Sequence, residues 1–260
     1  MFDLDIKRLS IHEIKELVQF STLEDLRVLL ELIKLDDRKG VRTLQRVILK
    51  RFEDEEARLK RRKVLLEEER KLWAMGYEFV GGLDEAGRGP LAGPVVAACV
   101  VFEPYTYIDG VNDSKRLTPA KREEYFELIM KKAKTVGIGR VDPVEIDRIN
   151  ILEATRTAME HAVSQCYPDI DFLLVDAMDG NFSVPYIPLI KGDSRSHSIA
   201  AASIVAKVIR DREMDEWHKK YPQYGFNKHK GYGTGSHIDV IRQIGPCPIH
   251  RRTFIHKLID

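Results

Sequence analysis

The stretch Val80-Gly-Gly-Leu-Asp-Glu-Ala-Gly-Arg-Gly-Pro-Leu-Ala-Gly-Pro-Val95 constrains this chain more than any other. Two adjacent carboxylates, Asp84 and Glu85, end a short apolar run. A glycine-rich turn follows, with the cation Arg88 between Gly87 and Gly89, and then a second apolar run from Val95 to Phe102. The pattern predicts strand, tight turn, strand. It sets acid at a strand end beside backbone amides that no side chain covers. Carboxylates next to bare amides and an arginine suit a hard metal ion meeting a phosphate.

A chain of 260 residues can hold one large domain or two small ones, and 43% hydrophobic residues suffice for a sizeable core. The net charge of +1 excludes a polycation, but the charge is uneven. From Val205 to Asp260 there are 11 Lys and Arg against 6 Asp and Glu, and five of the eight histidines lie there. A basic C-terminal quarter beside acidic metal-site candidates suits a nuclease, and it equally suits a solvated charged face. Three widely spaced cysteines, Cys99, Cys166 and Cys247, give neither a zinc pattern nor a disulfide framework. They read as reduced thiols, with Cys99 in the core. The N-terminus has no basic region followed by an apolar one, and no apolar run approaches the ~18 residues that span a bilayer. A soluble, cytoplasmic protein is expected.

Residues 1–72 read as a helical N-terminal extension. Ser10 to Glu13 and Thr22 to Asp25 are capping-box starts. Leu23, Leu26, Leu29, Leu30 and Ile33 fall at helical spacing, and Gly40 is read as the break before a longer helix. The mixed charge from Glu53 to Lys71 supports a solvated helix by pairing along its face.

From Tyr77 the pattern becomes α/β. Strands are predicted at 79–83, 94–102, 136–141, 172–175 and 185–190. Helices are predicted from Thr118-Pro119 to about Ala133, over 143–166 as one or two pieces, over 198–211 and over 234–243. The result is a mixed sheet with helices on its faces. Four acids share one context, the C-terminal end of a strand or the loop just beyond: Asp84, Glu85, Asp176 and Asp193. Ligands bind beyond the carboxyl ends of such strands. One such acid is most simply a cap or turn residue; four in one domain point to a shared ligand. Like charges a few ångströms apart raise each other's pKa, and Mg²⁺ or Mn²⁺ removes that cost. Two such ions about 3.5–4 Å apart, held by shared carboxylates, are an arrangement for phosphodiester hydrolysis.

Around these acids lie candidate substrate contacts. Gly87-Arg88-Gly89 can bring amides against a phosphate or ribose, or can be only a turn. Ser114 and Lys115 can hold a second phosphate, or belong only to a loop. Tyr232 is flanked by glycines in a basic loop, and can stack on a sugar or base or pack beneath its own loop.

The run from Gly82 to Val95 resembles the signature of the ribonuclease HII family. So do Asp113-Ser-Lys-Arg-Leu117, Val175-Asp176, Lys191-Gly-Asp193, the segment from Ile199 to Lys207, Lys230-Gly-Tyr-Gly-Thr234 and Gly245-Pro-Cys-Pro-Ile-His-Arg251. They occur in the family's order and cover about Gly81 to Phe254. The resemblance implies an RNase H-like fold: a mixed central sheet flanked by helices, a small C-terminal helical part, and a catalytic domain over 73–260. It implies an endonuclease that hydrolyses the RNA strand of RNA–DNA hybrids and also cuts 5′ of a single ribonucleotide in duplex DNA, leaving 3′-hydroxyl and 5′-phosphate ends. It further implies two divalent ions, Mn²⁺ or Mg²⁺, and a monomer. The family's acidic positions fall on Asp84, Glu85, Asp176 and Asp193. Its glycine-arginine-glycine element falls on Gly87, Arg88 and Gly89, and its junction-sensing tyrosine on Tyr232. The sister family, ribonuclease HIII, looks similar but carries Glu as the fourth acid and a sheet-containing N-terminal domain. Asp193 and the helical start both favour type HII.

Overall fold

The computed structural model describes residues 6–259. It divides into two compact units between Lys63 and Val64. In the first, helix α1 (Ile11–Phe20) and helix α2 (Leu23–Ile33) both begin with the expected capping boxes. The Ser10 amide donates to Glu13 Oε2 at 2.7 Å, and the Glu13 amide returns a bond to Ser10 Oγ at 3.2 Å. These satisfy amides that a helix start leaves unpaired. Ile14, Val18, Leu26, Leu29, Ile33, Val41 and Ile48 close a small core of their own. Gly40 does not break the chain. It lies in the first turn of helix α3 (Lys39–Leu65), and the break falls earlier, where Asp36 accepts bonds from the Arg38 amide and guanidinium. Gly40 serves close approach instead: a Cβ there would lie 2.6 Å from Ile11 Cδ1.

The second unit opens with helix α4 (Glu67–Ala74) and is built on five strands. These are β1 (Val80–Ala86), β2 (Val95–Val101), β3 (Thr135–Val141), β4 (Phe172–Asp176) and β5 (Tyr186–Leu189). Their order is β3-β2-β1-β4-β5. β3, β2 and β1 pair antiparallel, and β1, β4 and β5 pair parallel. The sheet is therefore mixed, as expected. Every residue of β2 is buried, because both faces of the sheet are covered. Burying each of its valines contributes about 1.5–3 kcal/mol.

On one face Leu83, Ala97 and Cys99 meet Ala154, Ala158 and Ala162 of helix α6 (Pro143–Ser164). Asn150 interrupts α6 with a φ of 66°, and its Oδ1 then accepts the amides of Leu152 and Glu153 to start the second piece. On the other face Ala98 and Val100 meet Ala201, Ile204 and Val205 of helix α7 (His197–Lys220), beside helix α5 (Pro119–Lys132). α7 runs nine residues past the expected Asp211. Its charged last turns hid that continuation from a pattern of small residues. Helices α8 (Phe226–His229), α9 (Gly235–Ile244) and α10 (Arg252–Ile259) follow as a small C-terminal part. Phe226, Ile241 and Ile255 form its core with Met214 of α7 and Ala92. The three cysteines are buried and unpaired. Among the described residues no helix is long and apolar enough to cross a membrane.

α7 lies almost in contact with β1. A Cβ on Gly82 would stand 2.0 Å from the backbone carbon of Ser198. Gly82→Ala must therefore push strand and helix apart, and a loss of about 3 kcal/mol in urea unfolding is expected. A variant as stable as the parent would show that the helix seats farther from the sheet.

Candidate active site

Strand β1 does not stop before its carboxylates: it continues through Asp84 and Glu85 to Ala86. Alternation along the strand then separates the two. Gly82, Asp84 and Ala86 face α7, whereas Glu85 shares the face of Leu83. Asp84 is consequently buried, at 6% exposure, while Glu85 is only partly covered. The parallel register pairs Leu83 with Val175, so the next residue of each strand, Asp84 and Asp176, stand side by side at the sheet end.

Asp193 arrives from a different element, the short 3₁₀ turn Gly192–Ser194 that leads into α7. The Gly192 amide donates to Asp176 Oδ1 at 2.7 Å, which ties this turn to the end of β4. Lys191, in the left-handed region at φ 55°, starts the turn. Buried Glu69 of α4 fastens the other side. Its Oε1 accepts Ser196 Oγ at 2.7 Å, Ser198 Oγ at 2.9 Å and the Ser198 amide at 3.1 Å.

The four acids feel one another. Burial raises the Asp84 carboxyl well above its ordinary value, and the charges of Glu85 and Asp176 add to the rise. Burial also raises Glu85, against the pull of Arg88, whose Nη1 lies 3.4 Å from Glu85 Oε1. Asp176 is raised by burial and eased by the Gly192 amide and Lys115. Asp193 is raised by burial and by the charges of Asp113 and Asp176. Lys115 loses some basicity to burial, yet Asp113, Asp193, Asp84 and Asp176 together hold it above its ordinary value. Lys115 thus faces the acids. Ser114 is buried, and its hydroxyl bonds Ser203 Oγ of α7 at 2.9 Å.

Among the described residues no three acidic, histidine or cysteine side chains converge as a closed metal-binding group. The reason is local. Asp84 Oδ1 takes the Glu85 amide at 2.7 Å, Asp176 Oδ1 takes the Gly192 amide, and Glu85 turns to Arg88. The donor set nevertheless fits a hard divalent ion: carboxylate oxygens only, crowded enough that their charges oppose one another.

Tyr232 stands at the edge of this region, with 45% of its surface exposed. Its ring approaches the turn: a Cβ on Gly89 would lie 3.9 Å from Tyr232 Cε1. Lys207 Nζ lies 5.8 Å and Arg210 Cζ 6.0 Å from the ring centre. Beyond Tyr232 a cleft of about 460 Å³ is lined by Arg122, Lys207, Arg212, Lys228 and Lys230, with Glu123, Asp211 and Asp215 among them. None of Asp84, Glu85, Asp176 and Asp193 lines it, so those carboxylates lie outside this groove of mixed charge.

The ribonuclease HII family profile matches residues 81–257, and the ribonuclease HII N-terminal domain profile matches 10–73. The chain belongs to the ribonuclease HII family. It is 46% identical to the ribonuclease HII of Caldanaerobacter subterraneus subsp. tengcongensis over 98% of this chain and 99% of that one. It is 47% identical to the Bacillus licheniformis ribonuclease HII over 96% and 97%. Its fold is similar to the crystal structure of ribonuclease H2 from Pyrococcus horikoshii OT3, with a TM-score of 0.60 and 29% identity over 70% of this chain and 97% of that one. The chain is therefore an endoribonuclease, and its family cleaves the RNA strand of RNA–DNA hybrids.

Within this ribonuclease HII chain, sequence reasoning missed two residues that shape the site. Arg210 and Arg251 are fully buried guanidiniums whose hydrogen bonds all go to backbone carbonyls. Arg210 donates to Pro94, Ala92 and Lys230. Arg251 donates to Gly93, to Arg88 at 2.8 Å and to Gly87 at 2.6 Å. Burial, with Arg210 nearby, lowers Arg251 to about 9. Gly87 holds a φ of 98°, and a Cβ there would meet Arg210 Nε at 2.1 Å. The only sequence signal is a cation at the end of the small-residue run from Ile199, after Lys207, and another ending the Gly245–Arg251 motif. Asp113 opens the Asp113–Leu117 segment and carries no site role in the sequence reading, yet its charge reaches Asp176 and Asp193.

Because the folded carboxyl of Asp84 is raised, its ionised form is disfavoured in the fold. As pH climbs above the ordinary 3.8, the unfolded chain ionises freely while the folded one resists, so stability is lost. With a chelator present, Asp84→Asn is expected to melt at a higher temperature than the parent at pH 7. The advantage should vanish below about pH 4, where both states hold the proton. A lower melting temperature at pH 7 would show that Asp84 is not under electrostatic stress.

Proposed function

We propose that Asp84, Glu85, Asp176 and Asp193 are the catalytic and metal-binding residues of this ribonuclease HII. The observation that carries this is the side-by-side placement of Asp84 and Asp176 with the Asp193 turn bonded to Asp176. Asp84 and Asp176 would hold two divalent ions, Mn²⁺ or Mg²⁺, and Glu85 and Asp193 would complete their shells. When bound, such ions activate water and steady the leaving oxygen of the phosphodiester. The chain's own part is orientation. The Gly192 amide fixes one oxygen of Asp176, and Arg88 partly offsets the effect of burial on Glu85 and holds it toward the glycine turn. Lys115 supplies positive charge beside the acids, where a substrate phosphate needs it. Ser114 anchors that loop through Ser203.

Gly87, Arg88 and Gly89 grip the backbone around the ribonucleotide, and Tyr232 stacks on the sugar that follows it. On this reading the enzyme cuts RNA–DNA hybrids and also duplex DNA 5′ of a single ribonucleotide, leaving 3′-hydroxyl and 5′-phosphate. The cleft beyond Tyr232, where Lys and Arg outnumber the acids, carries the duplex by its phosphates. The protein works as a cytoplasmic monomer, with residues 73–260 as the catalytic domain and 1–72 as a supporting helical extension.

Asp84→Asn is expected to lose at least about 10³-fold in kcat on a duplex carrying one ribonucleotide, with Mg²⁺ or Mn²⁺. Cutting within a few-fold of the parent would remove these acids from catalysis. Tyr232→Ala is expected to weaken cutting at the single ribonucleotide. A product map on that duplex beside a uniform hybrid reads both results, and unchanged junction cutting would remove Tyr232 from recognition.

A further inference from the structure

The Gly245–Arg251 motif has no part in the chemistry above, yet its end touches both recognition elements. Arg251 turns the carbonyls of Gly87 and Arg88 inward onto its guanidinium. In a trans peptide the N–H points opposite to the carbonyl. The amides of Arg88 and Gly89 are thereby directed away from the buried guanidinium.

One residue earlier, His250 begins a chain of hydrogen bonds that ends on Tyr232. The Cys247 amide donates to His250 Nδ1 at 3.0 Å, so the ring proton of His250 resides on Nε2. His250 Nε2 lies 3.0 Å from His237 Nε2 and donates to it. That leaves the His237 proton on Nδ1, which donates to the Tyr232 carbonyl at 2.9 Å. The opposite set of tautomers would let His250 Nδ1 donate to the Cys247 carbonyl at 3.2 Å, but it would face two lone pairs across the last contact and leave the Cys247 amide without its acceptor. His229 stacks on His237 with ring centres 4.3 Å apart. It accepts the Gly231 amide on Nδ1 and donates from Nε2 to Tyr224. His237 and His250 are buried, and burial lowers both to about 4, so the neutral rings this chain requires persist near neutral pH. The same segment is stitched to the loop after the glycine turn. Arg251 donates its amide to Leu91, Gly93 donates to Ile249, and Leu91 donates to Gly231.

We propose that Cys247–Arg251 is a positioning clamp that holds the Gly87–Gly89 turn and Tyr232 at a fixed separation, Arg251 setting the turn and His250, through His237, setting the tyrosine. The proposal rests on reading those two elements as the ribonucleotide recognition surface. His250 and Arg251 are positioning residues that touch no substrate.

The test uses the full chain, with kcat and KM measured on a single-ribonucleotide duplex and on a uniform RNA–DNA hybrid, and melting curves alongside. His250→Phe is expected to lower kcat/KM on the single-ribonucleotide duplex by about tenfold, and on the hybrid by less than about threefold. His250→Gln, which keeps a donor near the Nε2 position, should recover most of the loss. Adding His250→Phe to Tyr232→Ala should cost no further selectivity, because both act through one side chain. Arg251→Lys keeps the charge but loses the fork, and should lower kcat/KM about tenfold on both substrates, since both present a ribose to the turn. Equal losses of His250→Phe on the two substrates, additivity with Tyr232→Ala, or parental activity of Arg251→Lys would overturn the clamp. If Tyr232→Ala itself keeps parental selectivity, the recognition reading falls and the clamp with it. A selective Tyr232→Ala beside an unselective His250→Phe overturns the clamp alone.

Discussion

Helix α7 presses on strand β1 until Gly82 has no room for a methyl group, and the functional side chains take their places from that contact. Only Arg195 and Ser196 separate the helix from the turn that carries Asp193, so seating its first turn on the sheet brings that acid to the end of β4. One turn on, Ser203 reaches Ser114 and fixes the loop of Lys115. Two turns further, Lys207 and Arg210 stand beside the Tyr232 ring. A helix of bulkier residues would stand off the sheet and pull these groups apart. The run Ala200-Ala201-Ala202 is thus a geometric requirement as well as a source of helix propensity.

Close packing creates the electrostatic problem that the site exploits. Asp84 sits where water is scarce and where Glu85 and Asp176 add negative charge. Arg210 and Arg251 sit as deeply on the other side of the glycine turn, and backbone carbonyls rather than carboxylates stabilise them. Had either guanidinium paired with one of the four acids, its positive charge would have offset that carboxylate and left it less free for a divalent ion. Carbonyl dipoles satisfy the cation's donors without spending a carboxylate. The separation leaves the acids under mutual stress and the turn rigid.

Much of this was legible from the chain. The strand ends named the four acids because an acid closing an apolar run is costly without a ligand. The capping boxes at Ser10 and Thr22 and the Thr118-Pro119 start were local signals, and local signals survive into the structure. Gly40 misled because a glycine's use depends on what lies opposite, here Ile11, which is distant in sequence. The extension of β1 through Glu85 was hidden for the same reason: pairing with Val96 and Ala97 of β2 continues it, not its own composition. The roles of Arg210 and Arg251 could not be read, since a sequence does not reveal that a cation's partners are backbone carbonyls, most of them more than a hundred residues away.

On the proposed assignment, the arrangement separates cutting from reading. The acids are held by the sheet and by α7, whose packing tolerates almost no change in volume. The turn and Tyr232 are loop elements, and what fixes them is a hydrogen-bonded frame drawn from the C-terminal part: Arg251, His250, His237 and the strand-like contact of Ala92 with His250. Such a frame is directional. It fails by losing alignment before it loses density, so a defect in it shifts the amides and the ring without opening the core. The C-terminal frame can therefore shift the turn and the Tyr232 ring while the carboxylates remain where the sheet has put them.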